Sequence, residues 1–362
     1  MTVTGEQGGR MAAPARPPKP SGWLKARYGG SFFYSYGIAF ALIVLVALVT
    51  IGDPSFLSIS NILNMLGQWA PAGIMAVAMT YVVIGRGFDL SIASGFSLCA
   101  IVAAIVAAEG YGTELAFLAA IATGVAIGVV NGLLVCGLGI NPFIATVGTG
   151  FVLLGFNIIL TPNAYITVEQ EGFDVLGSGG WMGLSFKAMI LIAFLVVGEF
   201  VLQKTRYGQA LYAAGGNPEA ARLSGLRVRL LTGSTYVFLG FATGIAGLLA
   251  ASQLASAQAR MEPTIVFDVI AVVVLGGTSL AGGSGAIWRT AVGLAIIATI
   301  SNGFTLLGLS PFYQSIVKGT VILLAVALEG WARRLSVASL TKRAAGETSA
   351  ASQTSPTREI TQ

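Results

Sequence analysis

The chain has 362 residues, of which 55% are hydrophobic and only 10% charged; soluble domains carry about 25% charged residues, so this one cannot clothe a globular surface and needs a bilayer as its solvent. The net charge is +5, but the basic residues gather in a few loops and tails, as orientation signals do, and not in a nucleic-acid patch. The absence of histidine excludes a His-based triad or proton relay, and Cys99 and Cys136, far apart in apolar runs, suggest neither a disulfide framework nor a zinc site.

Residues 1–31 are rich in Gly, Pro, Ala and basic side chains and are expected to form a disordered tail. The first apolar run, 32–51, is followed by many others and is read as an uncleaved span, since a signal peptide has its apolar core nearer the start and a small-residue cleavage site after it. Further runs lie at 63–85, 92–108, 115–138, 142–161, 187–203, 231–254, 264–280, 286–307 and 312–331. A helix needs about 20 apolar residues to cross a bilayer. The runs therefore predict an all-α integral membrane protein of about ten crossings over 32–334, some interrupted by glycine. They are continuously apolar, whereas a membrane β-barrel alternates apolar and polar residues in segments of about ten. The 48 glycines fit close packing of membrane helices. Residues 335–362, rich in Ser, Thr, Ala and charge, are expected to form a second disordered tail.

Positive charge sets the expected orientation. The N-terminal tail, the loop holding Lys204, Arg206, Arg222, Arg227 and Arg229, and the C-terminal tail with Arg333, Arg334, Lys342 and Arg343 are all basic and are assigned to the cytoplasm. Six spans separate the first two and four the last two, and both numbers are even, as a common side demands. The loops then placed outside carry Asp53, Glu109, Glu114, Glu169, Glu171 and Asp174, with Arg260 beside Glu262 as the basic exception.

The loop 207–226 is the most informative segment. Asn217 is a good N-cap, Pro218 suits the first helical position, and Glu219 in the first turn suits the helix dipole. Gly225 can end the helix in a left-handed conformation, and Glu219 and Arg222 are spaced to pair. The sequence thus specifies a short helix with a marked start and stop. Two turns are too few to be stable alone, since isolated helices need about 12–15 residues. It must dock, through Ala220, Leu223 and Leu226 with Arg222 and Arg227 beside them, either on a cytoplasmic partner with an apolar cleft and acidic rim or on the chain's own membrane ends.

The run Ala213-Ala-Gly-Gly216-Asn217-Pro218-Glu219-Ala220-Ala-Arg222-Leu223-Ser224-Gly225-Leu226 resembles the coupling-helix loop of ribose-type permeases of the ABC importer superfamily. Three more stretches resemble that family in the same order: Gly85-Arg-Gly-Phe-Asp89-Leu-Ser91-Ile-Ala-Ser-Gly95, Asn141-Pro142-Phe143-Ile-Ala-Thr146-Val-Gly148, and Asp268 through Gly276-Gly277-Thr278-Ser279-Leu-Ala-Gly282-Gly283-Ser-Gly285. The resemblance runs from about residue 60 to 332, and departs where Arg86 stands for a common glycine and Phe88 for a common isoleucine. It implies one half of a homodimeric or heterodimeric pore in the bacterial cytoplasmic membrane, moving a simple sugar by alternating access. It implies as partners a cytoplasmic ATPase that holds ATP and magnesium, an extracytoplasmic sugar-binding protein, a second permease subunit and membrane lipid, and no nucleic acid. The chain itself has no Gly-x-x-x-x-Gly-Lys-[Ser/Thr] loop and is expected to bind no cofactor and to be no enzyme.

The two Gly-rich segments, 85–95 and 276–285, each follow an apolar run and end in Ser-Gly, which points to two related halves. Asp89 is read either as a cap or partner of Arg86 at the cytoplasmic membrane surface or as a path residue, and Asp268 as a cap near the outer side. A sugar path needs weak polar groups. Its candidates, besides Asp89, Ser91, Asp268, Thr278 and Ser279, are Asn131, Asn141, Thr146, Asn157, Gln253, Ser256, Gln258 and Asn302, any of which can instead bond helix to helix. Phe32, Phe33, Tyr34 and Trp331 read as interfacial anchors. The competing readings are an ion- or proton-coupled transporter, which would favour more ionisable groups in mid-span, and an intramembrane enzyme, which needs a catalytic set that the spans lack.

Overall fold

The computed structural model describes residues 21–162, 165–310, 312–321, 323–324 and 327. The chain divides into two compact units, 1–37 and 38–362. Helix α1 (Ser21–Gly52) begins earlier than expected, so helix replaces the tail expected for 21–31. The rest of that tail, the whole of 335–362 and Trp331 lie outside the described residues.

Between residues 59 and 307 the expected spans return as helices, with two corrections. The run 63–85 is not one straight crossing. It lies in α2 (Ile59–Gln68) and α3 (Ala70–Ile84), which meet at Trp69 with a bend of 56°. Pro71 explains the break, because it brings no N–H to continue the hydrogen-bond ladder from α2. The run 264–280 stops early: α12 (Ile265–Leu275) has 11 residues, about 16 Å at 1.5 Å each, against a hydrocarbon core of about 30 Å. Gly277, at φ +67°, turns the chain out of the helix.

The other helices follow the sequence closely. They are α4 (Ile92–Ala108), α5 (Thr113–Gly132, continued by a π-turn to Gly137), α6 (Pro142–Leu160), α7 (Val175–Ser178), α8 (Phe186–Lys204), α9 (Arg206–Gly216), α10 (Pro218–Leu223), α11 (Val228–Leu254) and α13 (Ile287–Leu306). Residues 312–321 are helical as well. Among the described residues, five helices are long and apolar enough to cross a membrane, six with the bent pair, and three shorter apolar helices add to them. The only strands described are short pairs in the connections: β1 (Tyr165–Thr167) with β4 (Ser256–Gln258), and β2 (Gly180–Trp181) with β3 (Leu184–Ser185).

α3 is the centre. All fifteen of its residues are buried, and α8, α11, α12 and α13 pack around it. A helix apolar on every side belongs either in lipid or in a protein core, and here protein covers it. α11 spans the other half of the core and crosses α5 through two small-residue pairs, Gly124 and Gly128 against Gly240 and Gly244. A Cβ at Gly244 would come within 2.9 Å of Ile121 Cα, and one at Gly124 or Gly240 would overlap the facing carbonyl. Membrane helices gain packing energy from such close backbone approach, since lipid leaves little hydrophobic drive between them.

Candidate functional site

α10 has the start and stop that its sequence specifies. The Asn217 side chain accepts from Ala220 N–H at 3.1 Å. Gly225 takes φ +86°, its N–H donating to Arg222 O at 3.0 Å and that of Leu226 to Ala221 O at 3.1 Å. These paired bonds satisfy the last carbonyls of the helix. Arg222 Nη2 reaches Glu219 Oε1 at 2.7 Å and holds that carboxyl below its usual range. Ser224 Oγ donates to Ala220 O. Ala221 faces inward, whereas Ala220, Arg222 and Arg227 are exposed and Leu226 is half-buried. Leu223 is 77% exposed, so this face is uncovered among the described residues.

The base of α10 is joined to both Gly-rich turns. Of the last two residues of α9, Gly215 lies against Ile84, where a Cβ would overlap Ile84 O, and Gly216 lies beside Gly283. Gly283 N–H donates to that same carbonyl at 2.9 Å. Arg86 Nε and Nη2 donate to Gly215 O at 2.5 Å and Gly216 O at 2.8 Å, placing positive charge at the C-terminal end of α9, where the helix dipole favours it. Arg86 sits at φ +66°, a conformation natural to glycine. The expected Arg86–Asp89 pair does not form, because the left-handed turn sends the guanidinium to α9.

Asp89 is instead buried, 3% exposed. Its Oδ1 accepts from Ser91 N at 2.8 Å and Ser91 Oγ at 2.6 Å, and its Oδ2 from Asn131 Nδ2 at 2.9 Å. The same Nδ2 donates to Ser91 Oγ at 2.8 Å. Leu90 N–H donates to Thr146 Oγ1 at 3.1 Å. The first Gly-rich turn is thereby tied to α5 and α6, with every donor at Asp89 supplied within the chain.

The remaining path candidates are dispersed. Asn157 Nδ2 donates to Ser94 O and Ala259 O, and Asn302 exchanges two 2.9 Å bonds with Asn61 between α13 and α2. Asn141 caps α6. Ser256 and Gln258 lie on β4. Thr278 is buried and its Oγ1 has no hydrogen-bond partner, while Ser279 Oγ accepts from Ala281 N–H within the second turn. Asp268 lies in the first turn of α12 without capping it, and its Oδ1 accepts from Lys318 Nζ at 2.9 Å. Gln253 Oε1 accepts from Lys187 Nζ at 2.7 Å. Gln253 and Asp268 share a cleft with Trp69 and Lys318, two residues the sequence reading passed over. Lys318 carried a usable signal, since a lysine inside an apolar run needs a partner.

The site is thus an exposed, capped helix seated on two glycine turns of a bundle of apolar helices. The chain belongs to the family described as branched-chain amino acid transport system / permease component, which matches residues 61–326. It is 39% identical over 290 residues to the ribose import permease protein RbsC of Bacillus subtilis strain 168, covering 80% of this chain and 90% of that one. It is 39% identical over 293 residues to RbsC of Escherichia coli K12, covering 80% and 91%. Its identity to the galactose/methyl galactoside import permease protein MglC of Salmonella typhimurium LT2 is 33% over 315 residues, covering 81% and 93%. No solved structure matches.

Proposed function

We propose that this chain is the membrane subunit of an ATP-driven importer that moves a simple sugar into the cytoplasm by alternating access. The observation that carries the reading is α10: a six-residue helix, capped at both ends, with Leu223 77% exposed, in a chain similar along most of its length to ribose and galactose import permeases. α10 docks on a separate cytoplasmic ATPase, which holds ATP and magnesium. The junction of Gly215, Ile84, Arg86 and Gly283 carries its motion to the buried α3. A second permease copy or homologue completes the pore, and an extracytoplasmic protein delivers the sugar. The basic loop and both tails face the cytoplasm. The long helices, the bent pair, the shorter apolar helices and the helical residues 312–321 are the membrane-embedded segments of this reading, and α12 reaches only about half the membrane depth.

Co-purification from the native membrane tests this reading: a stoichiometric ATPase supports it, and sugar transport in ATP-free proteoliposomes overturns it in favour of an ion-coupled transporter. Leu223→Glu and Glu219→Arg are expected to cut sugar uptake at least about tenfold, as charge mismatches at an interface do. Thermal stability of Leu223→Glu should stay unchanged, because Leu223 packs against little of the chain.

A further inference from the structure

Gln68, Trp69, Gln253, Glu262, Asp268 and Lys318 line an open cleft of about 460 Å3, inside the roughly 300–1,000 Å3 range of small-molecule sites. It sits where backbone regularity fails, at the α2–α3 bend and at the start of the half-length α12. Interrupted helices in transporters tend to border the substrate path, and irregular backbone at membrane depth is tolerated where it lines a cavity.

Two observations give the cleft a ligand chemistry. First, Trp69 is 8% exposed, and its indole Nε1 has no hydrogen-bond partner. A buried donor left without an acceptor is expensive, and a ligand oxygen would relieve it. Second, the charges around the cleft balance. Lys318 Nζ bonds Asp268 at 2.9 Å and stands 5.0 Å from the Trp69 ring centroid, and Lys187 bonds Gln253. Two ammonium groups thus answer the carboxylates of Asp268 and Glu262, leaving no net field to select an anion or a cation. Amide, indole and paired charges instead offer several donors and acceptors of moderate strength.

We propose that this cleft is a station for a neutral, monosaccharide-sized polyol. A ligand oxygen takes the Trp69 N–H, and Gln253 and the Asp268–Lys318 pair meet further hydroxyls. The inference rests on the sugar-permease reading and deepens it by placing the sugar on named residues.

The test uses proteoliposomes of the chain with its co-purified ATPase and binding protein, supplied with radiolabelled D-ribose or D-galactose. Trp69→Phe removes the N–H and keeps an aromatic ring. Gln253→Leu alters an exposed wall and guards against a Trp69 variant that fails to assemble. In complexes with wild-type ATP turnover, uptake should fall about fivefold or more, the loss of about one hydrogen bond, and the ribose-to-galactose ratio should change. Unchanged uptake in both assembled variants overturns the station and leaves the importer standing. A fall with the ratio unchanged assigns these residues to packing and overturns the station too. A wild-type complex that turns over ATP yet moves neither sugar overturns the sugar reading, and the station falls with it.

Discussion

The turn after α3 and the turn after α12 match bond for bond. In the first, Gly85, Arg86 and Gly87 donate to Tyr81, Val83 and Val82 carbonyls; in the second, Gly276, Gly277 and Thr278 donate to Val272, Val274 and Val273. The pivots, Arg86 and Gly277, take φ +66° and +67°. The same three bonds, around a left-handed residue, also close α4 at Gly110, α10 at Gly225 and α13 at Gly308, so the match is that of a common helix end and leaves the two related halves an expectation. Beyond the backbone the turns diverge. The first carries a guanidinium clamp on α9 and a buried Asp89–Ser91–Asn131 cluster. The second docks chiefly by backbone, through Gly282 and Gly283 against Gly215, Gly216 and Ile84, with the Tyr212 hydroxyl of α9 donating to Gly285 O at 2.6 Å. One geometry thus serves as a side-chain latch on one side and as a close-packed backbone seat on the other, and both converge on the base of α10.

The comparison is broken most severely at the shared seat. Gly215→Leu forces a side chain into Ile84 O and should abolish a monodisperse, folded protein on size exclusion, since even modest overpacking costs about 1–3 kcal/mol. Next comes the polar cluster. Asp89→Leu strands the Asn131 and Ser91 donors and should cost about 1–3 kcal/mol, seen as a lower Tm in detergent, with Asp89→Asn losing less. Smaller is the pivot. Arg86→Ala loses the bonds to α9 yet keeps the left-handed backbone, whereas Arg86→Gly loses the bonds and sheds the strain. The alanine variant should be the less stable by about 1 kcal/mol, and equal stability would show that the strain is absent. Smallest is Thr278→Val in the second turn, where no hydrogen bond is lost. Its Tm should equal or slightly exceed that of wild type, because a buried hydroxyl without a partner gives way to a methyl, and a clear fall would reveal a polar role matching that of Asp89.

Much of the fold and part of the site could be read from particular residues. Asn217, Pro218, Glu219, Arg222 and Gly225 wrote α10, because capping is local: each acts on backbone groups within a turn of itself. The expected Arg86–Asp89 pair failed for the opposite reason. Three-residue spacing brings side chains together on a helix, but this segment is a left-handed turn, and only the arrival of α9 gave Arg86 its acceptors.

The sequence alone determined that this is a helical membrane protein, where most spans lie, which short helix it presents, and which family its motifs resemble, because hydrophobic run length, caps and glycine turns act over a few residues. Tertiary structure alone decided that α3 is buried on every side and that Asp89 lies inside, bound to Asn131. It alone decided that Asp268 meets Lys318 beside Trp69 and that both glycine turns rest on Gly215 and Gly216. Those outcomes depend on contacts between residues far apart in the chain, 130 positions in the Arg86–Gly216 bond and 210 in the Thr80–Thr290 bond, and nothing in the local pattern of a single chain specifies which distant backbone will arrive.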